Sequence, residues 1–256
     1  MSEALAVSAR QQKQHIIYPT ILDTVRSLLS MIVIALFVLT FIVQPFRIPS
    51  ESMEHTLLVG DFLLVNKTIY APAGIWRWLL PYRGIQRGDI VVFHFPLDPP
   101  EHIVKRVIGV PGDHIHLHNG VVYINGQPLR EPYAEYQVSY ADNFRDQFPT
   151  LQYTDPGVDT NWWEEMRTDI RSGDLVVPEG RYFVLGDNRN HSRDSRYWGF
   201  VPRPNIVGRP FIIYFSLRQK PTTTVPDLPD DRLGHGDPIN SIVGFARWDR
   251  MFRVVW

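Results

Sequence analysis

Apolar positions fall into two regimes along this chain. Leu28 to Val43 reads LLSMIVIALFVLTFIV, with no charge and only Ser30 and Thr40 as weakly polar members. With Thr24-Val25 before it and Pro45-Phe46 after, the run approaches the ~20 residues that carry a helix across a bilayer. It has no polar face, which argues against a buried core helix. Its length argues against a cleaved secretory leader, as does the absence of a small-residue site in Gln44-Pro45-Phe46-Arg47. An uncleaved transmembrane anchor is expected over 23–45, preceded by a polar segment over 1–22.

From Phe46 to about Leu217 the pattern shortens. A Gly-Asp pair followed by an apolar run recurs at Gly60-Asp61, Gly88-Asp89, Gly112-Asp113 and Gly173-Asp174. Such punctuation predicts strands joined by tight turns. Asn119-Gly120, between two alternating segments, predicts a two-residue hairpin. The expected fold is therefore mainly β: one N-terminal transmembrane helix, then a β-rich domain of antiparallel sheets over 46–217. Glu131 to Arg171 breaks the strand rhythm with Tyr, Asp, Gln and Trp, and predicts an inserted lobe. A Pro-, Thr-, Asp- and Gly-containing loop is expected over 218–241. In 242–256, Phe245, Trp248, Phe252 and Val255 fall at helical spacing among Arg247, Arg250 and Arg253. That pattern fits a membrane-interface segment, its rings in the headgroup layer and its arginines against anionic lipid. Packing of the C-terminus on the domain accounts for it equally.

Charge and composition narrow the function. The net charge of -1 leaves no bulk field to attract nucleic acid. The lack of cysteine excludes disulfides, thiolate zinc sites and a cysteine nucleophile. Arg10, Lys13 and Arg26 precede the apolar run, whereas Arg47 alone follows closely. This bias places the N-terminus in the cytoplasm and the domain outside.

The candidate chemistry centres on Ser52 and Lys105. A serine hydroxyl is a poor nucleophile until a base takes its proton. Of the nine histidines, His114, His116 and His118 alternate along one strand face, but no further metal ligand accompanies them, so a solvated face is expected. His55 and His102 lie near the two candidates in sequence but lack the context of a triad base. Lys105 sits in His102–Gly109, where Ile103, Lys105 and Val107 share one face. A lysine on an apolar face must snorkel, pair or be desolvated. Desolvation lowers its pKa, and a fall from ~10.4 to ~7.4 requires disfavouring the ammonium by about 4 kcal/mol. Taken alone, Ser52 reads as a turn hydroxyl and Lys105 as a snorkelling residue. A third segment, Gly186 to Gly199, is dense in hydrogen-bonding side chains and follows the strand-like Arg181–Leu185. It can brace a base, for example through Asp194 paired with Arg196; an exposed polar loop is the alternative.

Three motifs occur in order: Ser50-Glu51-Ser52-Met53 with Thr56-Leu57, Lys105-Arg106-Val107-Ile108-Gly109 through Asp113, and Gly186-Asp187-Asn188-Arg189 through Gly199. Together they closely resemble bacterial type I signal peptidase, also called leader peptidase, a family of Ser-Lys dyad proteases. The resemblance covers the anchor and most of 46–215. It implies Ser52 as nucleophile and Lys105 as general base. It implies Ser50 as the side-chain contributor to the oxyanion hole, Ser192 as the residue orienting the lysine, and Asp194–Arg196 as a supporting salt bridge. It further implies substrate pockets lined by Phe46, Ile48, Pro49, Leu57 and Val104, and no metal or cofactor. The implied partners are signal-peptide-bearing preproteins, membrane lipid and the secretion translocase. The implied location is the bacterial inner membrane, with the catalytic domain on its outer face. Three positions depart from the family pattern: His55 stands where proline is common, Asn190 where aspartate is common, and Arg193 adds a charge. Two other functions fit parts of the chain. A self-cleaving repressor-type Ser-Lys protease would need a DNA-binding head in place of 28–43. A non-catalytic peptide-binding domain would not need both Ser52 and Lys105.

Overall fold

The computed structural model describes residues 21–70, 82–218 and 245–255. The polar segment expected over 1–22 and the loop over 218–241 therefore fall almost entirely outside the described residues. The chain forms two units, 1–42 and 43–256. In the first, Ile21–Phe37 form helix α1, and Val38–Ile42 continue it as a π-helical turn. This 22-residue run has a mean hydropathy of 2.4. At 1.5 Å per residue it spans about 33 Å, enough for a hydrocarbon core of ~30 Å.

The second unit is built from two antiparallel sheets. The larger comprises β1 (Val43–Arg47), β2 (Asp61–Asn66), β3 (Ile90–His94), β4 (His102–Gly109), β10 (Arg181–Leu185), β11 (Val201–Pro202), β12 (Ile206–Ser216) and β13 (Arg253–Val254). Its order is β1-β2-β12-β3-β4-β10-β11, with β13 also on β12. The smaller comprises β5 (His114–His118), β6 (Val121–Ile124), β7 (Gln127–Pro128), β8 (Ile170–Arg171) and β9 (Asp174–Val176), in the order β7-β6-β5-β9-β8. The mainly antiparallel fold after one N-terminal apolar helix agrees with the sequence pattern.

The recurring Gly-Asp pairs have a physical explanation. Gly60, Gly88 and Gly112 take φ of 92, 91 and 87, a left-handed backbone that glycine adopts without penalty. The aspartate that follows closes the turn twice. Its N–H donates to the carbonyl three residues back, and its carboxylate accepts the N–H of that same residue, Leu58, Gln86 or Val110. An arginine then neutralises each carboxylate: Arg250 on Asp61, Arg83 on Asp89 and Arg87 on Asp113.

The lobe over 131–171 is integrated into the core. Helix α2 (Asn143–Asp146) is capped by Asp142, and helix α3 (Thr160–Asp169) by Asp159. Phe144, Phe148, Trp162 and Met166 pack with Ile115, Leu117, Val122 and Phe183 in one buried cluster. A second cluster joins Val91, Phe93, Val107, Val184 and Trp198, and a third joins Ile48, Met53, Leu57, Leu63, Ile90 and Ile213.

The tail differs from its helical spacing. Within 245–255 the backbone forms a bridge at Ala246, a 3-10 turn at Trp248–Arg250, and then β13. Two forces override the helix. Phe252 and Val255 donate backbone N–H groups to Ile213 and Phe211, and Arg250 clasps the fully buried Asp61. Phe245, Trp248 and Phe252 remain 43%, 54% and 70% exposed, whereas Val255 is buried.

Candidate active site

Ser52 sits in a 3-10 turn, Glu51–Met53, directly after the β1 link. Met53 and Leu57 anchor this turn in the third core cluster. Lys105 lies midway along β4. Both side chains are buried, and Lys105 Nζ is 2.5 Å from Ser52 Oγ. Burial pulls the Lys105 pKa down to about 8, with the negative charges of Asp194 and Asp187 resisting part of the fall. A large share of the amine is thus neutral near pH 8, when it can accept the serine proton. Ser50 Oγ lies 3.4 Å from Ser52 Oγ on an exposed residue.

The polar loop 186–199 packs beneath this pair. Asp194 caps helix α4 (Ser195–Trp198) and is fully buried. Arg196 grips it with two hydrogen bonds, Nε to Oδ1 at 2.8 Å and Nη2 to Oδ2 at 2.7 Å. Ser192 Oγ donates to Asp194 Oδ2 at 2.7 Å, and the Gly186 N–H donates there at 3.1 Å. Burial opposes ionisation of Asp194. The Arg196 charge, then the hydrogen bonds from Arg196, Ser192 and Gly186, outweigh it and hold the carboxyl below its usual range. The Ser192 hydroxyl is thus turned to that carboxylate. Gly186 is confined: a methyl group there would overlap both Ser192 Oγ and the Ser52 carbonyl. The Asn188 N–H donates to that carbonyl at 3.2 Å.

Sequence reasoning missed a second brace. Arg106, on the opposite face of β4, binds Asp187 through Nε (2.8 Å) and Nη2 (2.7 Å). Thr56 Oγ1 donates to the same carboxylate at 2.5 Å. The turn that carries Ser52 is thereby tied to β4 and to the polar loop at once. The available signal was a cation beside Lys105 on the other apolar face of one strand, which requires a buried acid.

The lobe holds the loop from outside. Glu131 pairs with Arg189, and Arg145 Nη1 donates to the Asn190 carbonyl. The three departures from the family pattern have distinct local roles. His55 takes φ 84, which a proline ring forbids. The Asn190 amide donates to the Gln137 and Tyr140 carbonyls and accepts the Gln137 N–H, a set that aspartate cannot reproduce. The exposed Arg193 donates to the Gly157 carbonyl at 2.7 Å.

A cleft of about 490 Å3 leads to the pair. Phe46, Ile48 and Pro49 form one side, and Ile103, Val104 and Lys105 another. Leu57 is not among its lining residues; it is fully buried in the core behind the turn. Among the described residues β1 pairs only with β2, and along β4 the strand β10 covers only Arg106–Gly109. The first half of β4 and the outer side of β1 thus leave backbone edges beside the cleft. The His114–His118 face holds no metal cluster among the described residues. His116 Nδ1 lies 2.8 Å from Asp174, and its ring stacks on Tyr123.

The family described as signal peptidase, peptidase S26, matches residues 21–215. Signal peptidase I of Pseudomonas fluorescens is 35% identical over 232 residues, covering 82% of this chain and 78% of that protein. Signal peptidase I of Aquifex aeolicus is 36% identical over 217 residues, covering 72% of this chain and 80% of that protein. Among solved structures, a signal peptidase I from Enterococcus faecalis is 35% identical, covers 50% of this chain and 97% of its own, and gives a TM-score of 0.34.

Proposed function

Since the chain belongs to the signal peptidase family, peptidase S26, we propose that it is a membrane-anchored serine endopeptidase that removes N-terminal signal peptides from exported preproteins. The observation that carries this reading is the 2.5 Å approach of a buried lysine amine to a buried serine hydroxyl. Neutral Lys105 takes the Ser52 proton as Oγ attacks the scissile carbonyl. The lysine then returns that proton to the leaving amine as the C–N bond breaks, leaving an acyl-enzyme. Water, deprotonated by the same lysine, hydrolyses the ester and restores Ser52. Ser50 Oγ and the Ser52 N–H stabilise the oxyanion, a contribution of ~2.7–4 kcal/mol per donor. Ser192 and the Asp194–Arg196 pair keep the floor beneath Lys105 rigid.

The preprotein segment before the cut adds as a strand to the edges of β1 and β4. Phe46, Ile48, Pro49 and Val104 leave room for small side chains, so selection is by exclusion. Leu57 shapes this wall only from behind. Residues 21–42 form the anchor in the bacterial inner membrane, with the N-terminus cytoplasmic and the domain on the outer face near the secretion translocase. The exposed Phe245, Trp248 and Phe252 meet the lipid surface.

The test is preprotein cleavage in detergent by wild type, Ser52→Ala and Lys105→Ala. Both variants should lose at least ~10³-fold in kcat while staying folded. Full activity in Lys105→Ala would sink the dyad. Protection of the domain from protease added to spheroplasts would reverse the orientation.

A further inference from the structure

Arg106 also borders a second cavity, of about 400 Å3, behind the nucleophile turn. Three basic side chains line it: His55, Arg106 and Arg253. Among the described residues no acidic side chain does. Their circumstances differ. Arg106 is saturated by Asp187 and the Gly88 carbonyl, and its guanidinium lies 3.9 Å from the centre of the Tyr133 ring. Its charge is therefore spent on Asp187. Arg253 is exposed on β13 and takes part in no ion pair or side-chain hydrogen bond with a described residue. His55 is likewise exposed, and its φ of 84 holds it in a backbone region uncommon for any residue but glycine. Arg253 and His55 thus face the cavity without a counter-charge among the described residues.

Apart from Thr56, the rest of the lining is apolar or aromatic. Ile213 and Val255 contribute side chains from the core, and Tyr133 contributes its ring. Beside Arg253 along the chain, Phe252 is 70% exposed and Val254 46% exposed. A basic pocket with an apolar wall and an apolar rim complements a particular kind of molecule: an anionic head attached to an apolar chain.

We propose that this cavity binds an anionic amphiphile, with its phosphate or carboxylate head between Arg253 and His55 and its chain over Val254 and Phe252. Binding bears on catalysis through covalent continuity. His55 and Thr56 belong to the turn that carries Ser52, and Thr56 N donates to the Met53 carbonyl at 3.1 Å. Thr56 Oγ1 also shares Asp187 with Arg106. A head fixed on His55 restrains the turn from the side opposite Lys105, and so favours the attacking geometry of Ser52. Only this rate effect rests on the proposed peptidase activity; the binding itself does not.

The test uses the full chain in an uncharged maltoside detergent, titrated with dihexanoyl phosphatidylglycerol below its micelle concentration and followed by calorimetry. Dihexanoyl phosphatidylcholine and inorganic phosphate serve as comparison ligands. Wild type should show saturable one-to-one binding. Arg253→Gln should weaken it by about tenfold or more, as expected for loss of a charge-assisted contact, and Arg253→Lys should restore most of it. Arg253 is exposed, so both variants should melt with wild type. Preprotein cleavage should rise with the amphiphile in wild type but not in Arg253→Gln, with the basal rate unchanged. Equal binding by wild type and Arg253→Gln, or no saturation, would overturn the site. Equally tight phosphatidylcholine would overturn the anionic preference, and equally tight inorganic phosphate would overturn the amphiphile. Absence of preprotein cleavage by wild type would instead strike the peptidase reading, leaving the calorimetric result to decide the site.

Discussion

Lys105 and Arg106 are adjacent on one strand, are both buried, and are treated in opposite ways. Arg106 meets a carboxylate in a bidentate clasp, a carbonyl and an aromatic face. Lys105 meets a neutral hydroxyl, with its nearest negative charges beyond contact in Asp194 and Asp187. Asp194 is itself absorbed by Arg196 and Ser192. The difference teaches how a fold can favour the neutral form of a lysine amine. It denies the amine a carboxylate partner, and it spends the two nearest buried carboxylates, Asp194 and Asp187, on arginines. The arginine cannot lose its proton and so serves as a fixed brace. The lysine can, and its desolvated amine is left with one group to act on.

The most severe way to break this contrast is to make both faces alike. Lys105→Arg keeps the charge and stem but supplies no base. Cleavage should fall by at least ~10³-fold at every pH. Circular dichroism should show a retained fold. Appreciable activity with a normal pH profile would mean that another group takes the serine proton.

Removing the brace comes next. Arg106→Met leaves Asp187 buried without its cation and should cost about 3–5 kcal/mol of stability. The double variant Arg106→Met with Asp187→Leu should recover much of that loss, because neither charge then remains uncompensated. Chemical denaturation checks both. A single variant as stable as wild type would show that Asp187 does not depend on Arg106.

Stability against pH separates the two faces without a change on the Arg106 side. The folded Lys105 titrates near 8 instead of its ordinary 10.5. Between those values the unfolded chain holds a proton that the folded chain has released. Stability must therefore rise with pH across this window, by as much as about 3 kcal/mol. Lys105→Met should flatten that slope. The cleavage rate in wild type should climb through the lower end of the same window as the amine deprotonates. A rate still rising toward pH 10 would contradict a desolvated base.

Much of this was legible in sequence because it depends on local pattern. The Gly-Asp turns, the Asn119-Gly120 hairpin and the apolar N-terminal run each state their geometry within a few residues. Lys105 was conspicuous because a lone cation on an apolar strand face has few accommodations. Asp187 and Thr56 were not, because their significance depends on contacts with Arg106 that span 81 and 50 residues. Leu57 reads as a wall residue near Ser52, yet the turn folds it inward to fill the core. The tail shows the same limit. Its helical spacing is real, but strand pairing to β12 and the Arg250–Asp61 clasp are long-range facts that override it.

The mildest perturbation acts on the braced side from a distance. Asn190 fastens the polar loop to the lobe with two donated hydrogen bonds and one accepted, at a half-buried position. Asn190→Asp keeps the acceptor but sets carboxylate oxygens against the Gln137 and Tyr140 carbonyls. Arg145, already bonded to the Asn190 carbonyl, offers partial compensation. The expected cost is about 1 kcal/mol, which lowers Tm by about 2–4 °C in a domain of this size. Because Asn190 reaches the site only through backbone shared with Arg189 and Asn188, the loss should appear in stability while kcat stays within about twofold and the Lys105 pH profile stays in place. A displaced profile with unchanged Tm would reverse that order. It would show the lobe tuning the desolvated lysine more than it secures the arginine brace.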